Sequence, residues 1–458
     1  MHSRSFAVLL GLAAVLAGLL FNSIGQTEVL SAARDSASRM DEPGGTPPDV
    51  VMASQNPDEY AWQLFFFINR QAKAGTAGVA DPSKATFRDY DGNMPVVWET
   101  WALSSGLDVD TSTQPVKIIV NKSEVFKTPA ALPVPWDQLD RTAPAPLILS
   151  PNLKTFAVAM SIAPPSTMTM GNFHFQIAPI GTNPATDESR MNRSTYETVR
   201  NEHLYSVEGL QAAAMKAKQA GRASLVTFDS KSKEIKARWV HLADCDSNAN
   251  CADRKRYHWR STVVDGKTQI WGLASLHIIT KDLPNWFWAD FSQVDCEKKV
   301  GACADASEGA LTPINDSTVA AGGIRPETKG TKWSNYVLRG TEIDFNTTTG
   351  IKKMLSNPVI ESGFQNSSCM TCHSYASAGL AGTVPNAGTS IAIFAGKTGT
   401  ANIGSRSFDI GTPDCWRFYT PRNAPTGNCP AAFEKTVPLY LQTDFLWSLP
   451  FRAFSEKP

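Results

Sequence analysis

The sequence predicts an α+β protein, predominantly antiparallel β, with a sandwich or barrel-like body, a few helices and a C-terminal segment that carries the chemistry. Three observations predict it. Many short β-branched and aromatic runs alternate with Pro- and Gly-bearing turns between residues 115 and 291. Two stretches repeat apolar residues at helical spacing instead. One small, polar, turn-rich interval, "GACADASEGALTPINDSTVAAGGIRPETKGTK", then interrupts the pattern. A chain of 458 residues exceeds what one ordinary core organises, and its 12 Trp and 22 Phe supply ample apolar material. The expected division is a β-rich body over 56–300, a linker or loop over 301–332, and a segment over 333–458 packed on the body.

Taken in order, Arg4 and the apolar run Phe6 to Phe21 form the charged and apolar regions of a secretory signal, with small residues for cleavage at Ser31-Ala32-Ala33. Residues 1–33 are therefore expected to be a signal peptide. The apolar run falls short of the ~20 residues a spanning helix wants, so a tether to the inner membrane is expected only if the signal stays uncleaved. Residues 34–55, with "GGTPP", read as a flexible leader. Asn56 as cap, Pro57 at the first helical position and Glu59 in a capping box open a helix with Ala61, Leu64, Phe65, Ile68 and Ala72 on one stripe. Strands follow at "PVKIIV", "APLILS", "KTFAVAMSI", "NFHFQIAPI", "SLVTF", "EIKARWVHL", "RYHWRSTVV", "TQIWGLASLHIIT" and "NWFWADF". Ser194 and Glu197 offer a capping box for a second helical stretch, Ser194 to Gly221.

Lys plus Arg equals Asp plus Glu at 43 each, so no overall field draws the chain to nucleic acid or anionic lipid. Six of the eight cysteines fall into local pairs, Cys245 with Cys251, Cys296 with Cys303, and Cys415 with Cys429, which an exported chain can close as disulfides. Six cysteines allow 15 connectivities, and this one is chosen by proximity.

The remaining two cysteines stand in Cys369-Met370-Thr371-Cys372-His373. On one helical turn, thiols at i and i+3 reach the two vinyl groups of one porphyrin edge, and an imidazole at i+4 reaches the iron from the same side. The pattern points to one covalently bound haem c on Cys369 and Cys372, with His373 as proximal iron ligand. A thioredoxin-like dithiol is the rival; it wants a strand and helix of a βαβ unit, and this motif follows a β-rich body. Residues 333–458 are then a haem-bearing segment. No Met or His follows His373, so a second iron ligand has to come from upstream, or be Lys, or be missing.

Period-two reading puts His174 and His258 on wet faces and His203 in a charged helix. His277, in a strand apolar on both faces, is the leading distal candidate, with His241 and Met354 behind it. Trp286, Trp288, Trp98 and Trp101 offer a haem wall or plain core. "AGKTGTANIG" lacks the first glycine of a phosphate loop, and no GxGxxG after a strand, GxSxG or HExxH occurs.

The phrases "MNRSTYETVRNEHLYSVEGLQ", "EIKARW", "GLASLHIITKDLPNWFWADFSQVD", "CMTCHSYAS" and "TDFLWSLPF" resemble a family of large exported bacterial cytochrome c proteins with a single C-terminal CxxCH. The similarity spans roughly residues 55–451. It implies a monohaem protein and carries over Cys369, Cys372 and His373, with no substrate attached. The expectation is thus an exported, periplasmic electron-transfer protein serving a redox partner protein or a small-molecule donor or acceptor. The second expectation is a haem-dependent oxidoreductase with an open sixth iron position.

Overall fold

The computed structural model describes residues 50–84, 88, 94–104, 107–110, 117–121, 123–127, 129–139, 167–170, 173–176, 186–222, 225–264, 266–304, 325–344, 355, 357, 359, 368–373, 376–379 and 440–457. The expected signal peptide, most of the leader, "APLILS", "KTFAVAMSI", Met354, the Cys415–Cys429 pair and the side chain of His174 lie outside the described residues.

The strands, in chain order, are β1 (Ala102–Leu103), β2 (Leu107–Asp110), β3 (Lys117–Asn121), β4 (Thr167–Met170), β5 (Phe173–Gln176), β6 (Thr186–Met191), β7 (Lys233–His241), β8 (Trp259–Val264), β9 (Lys267–Thr280), β10 (Phe287–Gln293), β11 (Tyr336–Glu342), β12 (Ser377–Gly379) and β13 (Tyr440–Gln442). Seven of them form one antiparallel sheet in the order β1-β6-β7-β9-β10-β11, with β8 also on β9. Three two-stranded ribbons, β2-β3, β4-β5 and β12-β13, complete the β-structure among the described residues. The α+β, mainly antiparallel class is the observed one, and both faces of the sheet are covered by other parts of the chain.

The N-terminal helices cover one face. Helix α1 (Val51–Gln55) lies within the expected leader and buries Ala53. Helix α2 (Pro57–Ile68) begins at Pro57, and Asn56 makes no side-chain cap, contrary to the expected box. Glu59 pairs instead with buried Arg325 at 2.7 Å. The α2 stripe of Tyr60, Trp62 and Phe65 meets Phe287, Phe291 and Trp333 edge-on or tilted, with ring centroids 4.5–5.5 Å apart. Such pairs are the favoured aromatic geometries, and area removal here is the main stabilising term.

The C-terminal part covers the opposite face. Alternation puts Trp288 and Asp290 of β10 opposite Ile279 and His277 of β9, away from α2. Over them lie α7 (Cys369–His373), isolated residues of the 355–359 segment, and α8 (Ser448–Arg452). A register shift between Arg238 and Trp239 in the β7-β9 pair leaves Ala274 as the extra residue of β9 and turns Leu273 onto the α2 side, opposite Trp239.

Helices α3 (Arg193–Asn201) and α4 (Val207–Gln219) replace the single stretch expected over 194–221. Asn192, not Ser194, caps α3 by accepting from the Thr195 amide, and Ser206 caps α4 from the Gly209 amide. "SLVTF" pairs into no strand: Leu225, Val226 and Phe228 are buried in irregular chain. Helices α5 (Asp253–Arg256) and α6 (Val294–Lys298) sit beside two cystines. Cys245–Cys251 and Cys296–Cys303 have Cα atoms 5.3 and 4.7 Å apart, with the sulfurs within bonding distance. Of the expected linker, 301–303 is a turn of 3-10 helix closed by Cys303, and Arg325 and Thr328 are buried.

Candidate functional site

The Cys-x-x-Cys-His turn, α7, sits on the polar face of the sheet at the β10-β11 end. Ser368 and Met370 dock it: the Ser368 hydroxyl donates to Glu342 Oε1, and the Met370 amide donates to Glu342 Oε2 at 3.0 Å. Glu342 is fully buried at the end of β11, directly across from Trp288 on β10. One carboxylate therefore satisfies two donors at the start of the turn, where amides have no partner within the helix. Cys369 Sγ lies 3.3 Å from the Leu355 carbonyl oxygen, and Leu355 bridges to Ser368.

His373 is held from two directions. Its Nδ1 lies 2.8 Å from the Phe445 carbonyl oxygen, which can only accept, so Nδ1 carries a proton and donates; in the neutral ring the lone pair is then on Nε2. Its ring rests 4.7 Å, centroid to centroid, from that of Trp288, tilted 58°. Trp288 is itself fixed by its Nε1–H donating to the Asn285 carbonyl at 3.0 Å, and Phe445 packs 6.1 Å away. Downstream of α7, Ala376 donates to the His373 carbonyl and β12 pairs with β13, which returns the chain to Phe445.

His277, the expected distal ligand, is on the same sheet face, two cross-strand pairs along from Trp288. Its Nε2 lies 3.0 Å from Asp290 Oδ1. Asp290 is fully buried, accepts from Asn357 Nδ2 at 2.9 Å and lies 3.5 Å from Arg339. The fold thus brings His277, Trp288 and His373 to one side of the sheet, with a buried polar group behind His277.

His258 is a correction. Fully buried on the α2 side, it stacks on Trp333 at 5.3 Å and donates from Nε2 to Glu99 at 2.9 Å. Burial, with the nearby Lys332 charge, holds it well below its ordinary pKa, so it is neutral. Glu99 also pairs with Arg260 and accepts from the Val96 amide at 2.7 Å. Lys332, beside Arg260, is pushed down to about 7 by burial. His241 is half-exposed, paired with Asp246 at 2.8 Å and stacked on Trp271, away from the motif. Trp98 and Trp101 are core, and Trp286 donates to Asp444 at 3.2 Å.

A covalent haem is tested against these residues by their chemistry. The two cysteines occupy i and i+3 of a helical turn with His at i+4, and in the neutral ring an Nδ1–H that donates to Phe445 makes Nε2 the nitrogen able to bind a metal. The residues fit the group. Sequence reasoning missed Glu342 and Phe445; a carboxylate and a carbonyl 28 and 72 residues from their partners leave no local signal. Comparison of the chain with protein-family models, with curated proteins and with solved structures gives no match. No helix among the described residues is long and apolar enough to cross a membrane.

Proposed function

We propose that the chain is an exported monohaem c-type protein that binds one haem c and passes single electrons to or from a redox partner, protein or small molecule. One observation carries the reading: the histidine of a Cys-x-x-Cys-His turn donates Nδ1–H to a main-chain carbonyl and so presents Nε2 as a ligand. Cys369 and Cys372 would hold the group through thioethers and His373 would bind its iron, and the bound group supplies a one-electron couple. Glu342 keeps the turn on the sheet, the Phe445 carbonyl holds the proton at Nδ1, and the Trp288 ring packs against the imidazole. Two cystines in the body support an oxidising compartment, the periplasm.

The test is expression in a host that attaches haem c. Mature chain carrying the mass of one haem, with a thioether-type pyridine haemochrome spectrum lost in Cys372→Ala, supports the reading. A mature mass without the macrocycle refutes it.

A second reading, an oxidoreductase with an open sixth iron position, is favoured by the engagement of His277 with Asp290 and by the lack of Met or His after His373. Ferric wild type and His277→Ala decide between them. High-spin iron in both that takes cyanide rapidly supports the open site. A low-spin spectrum that His277→Ala converts to high spin supports the carrier with His277 as ligand.

A further inference from the structure

The carbonyl that holds His373 comes from a strained turn. Asp444 and Phe445 are consecutive non-glycine residues with φ of +48° and +67°, a region that side chains with a Cβ avoid. Such a conformation persists only where its surroundings over-determine it. The Asp444 carboxylate is fully buried and accepts three donors from two other segments: Oδ1 from Lys281 Nζ at 2.7 Å and Trp286 Nε1 at 3.2 Å, and Oδ2 from the Phe228 amide at 2.8 Å. Lys281 also donates to the Pro284 carbonyl at 2.5 Å. Trp286 is itself left-handed, φ +63°. Thr443 on the near side donates from its amide to the Ala376 carbonyl at 2.9 Å and from its hydroxyl to the Leu446 carbonyl at 2.9 Å.

A buried ion pair is a poor way to gain stability alone, because desolvation offsets most of the attraction. What this one fixes is direction. The β9-β10 turn, 281–286, grips Asp444 and leads two residues later into Trp288, whose ring lies on His373. One turn therefore positions both contacts of the imidazole.

We propose that Asp444, gripped by Lys281 and Trp286, is a positioning residue for His373: it holds the left-handed 444–445 turn so that the Phe445 carbonyl stays on Nδ1, which sets the donor strength of the iron ligand. The inference rests on the haem reading above. A hydrogen bond from Nδ1–H makes an imidazole a stronger donor and favours ferric iron, so loosening the turn raises the reduction potential.

The experiment compares haem-bearing wild type with Asp444→Asn and Trp286→Phe, reading the reduction potential and solvent exchange of the His373 Nδ1 proton by NMR. Asp444→Asn is expected to speed that exchange and weaken the ferric preference roughly tenfold, a rise of about 59 mV for one electron. Trp286→Phe removes one donor and gives a smaller change of the same sign. If Asp444→Asn does not fold, Trp286→Phe decides. Wild-type exchange and potential in every variant that folds would overturn the proposal. If the chain returns without haem, the same proton is read in haem-free protein: an exchange difference there supports the positioning role while the haem reading fails, and no difference ends both.

Discussion

The two faces of the central sheet are built on opposite principles. On the α2 side, Tyr60, Trp62, Phe65, Phe287, Phe291 and Trp333 interlock as rings, with buried polar groups toward the sheet edges, His258, Glu99 and Arg260 by β8 and the Arg190–Glu188 pair on β6. On the other side, Glu234, Asp290 and Glu342 accept from the C-terminal segment, from Ser448, from Asn357, and from Ser368 with the Met370 amide, while Arg452 donates to Ser104 and Ser189. Dispersion and area removal tolerate many arrangements of similar volume, whereas hydrogen bonds to buried carboxylates tolerate few. The ring-lined face therefore supplies stability, and the polar face supplies a fixed location for the Cys369–His373 turn.

That contrast is open to breaking. The largest expected effect is on the ring side: Trp62→Ala opens a cavity and costs about 3–5 kcal/mol in urea unfolding, while the His373 environment of the folded fraction keeps its wild-type spectrum. A smaller loss there than from Glu342→Ala would invert the comparison. Glu342→Ala leaves the Ser368 hydroxyl and Met370 amide unanswered and costs about 1–3 kcal/mol. Its distinguishing result is local, faster hydrogen exchange at Met370 with β7 and β9 unchanged.

The next measurement is a pH profile. Burial keeps His258 neutral, with a folded pKa below the unfolded value of about 6.5. The unfolded chain therefore binds the extra proton first, and stability is expected to fall as pH drops below about 6.5 toward the folded pKa. In His258→Gln that part of the slope disappears; an identical slope removes His258 from the account. The smallest effects sharpen the reading of helix starts. Asn192→Ala costs about 1 kcal/mol because its side chain caps α3, whereas Asn56→Ala, with no cap bond, stays within about 0.5 kcal/mol by thermal melting.

Strands β7, β8, β9 and β10 match to within three residues at each end the apolar and β-branched runs picked out from the sequence. Strand β6, "TDESRM", has no such signal; its Arg190 and Glu188 are buried as a pair, with Glu188 also accepting from Trp239 at 3.0 Å. Strand β11 was hidden likewise by Arg339 and Glu342. The case of His258 is the most instructive. Alternation grouped it with Arg260, and both do meet Glu99, yet the face they share is the covered one. Period two says which residues share a face, not what will lie upon it.

For the candidate site, the residues at 369, 372 and 373 and the helical turn joining them were legible, because that chemistry depends on spacing within five residues. The α2 helix and the local cysteine pairs at 245–251 and 296–303 were legible for the same reason: their partners are neighbours in the chain. Only the tertiary structure decided that Glu342 receives the turn, that Phe445 orients the imidazole and that Trp288 lies against it. Those contacts join segments 28, 72 and 85 positions apart, and nothing in a local pattern encodes which distant group a folded sheet will bring to a given atom.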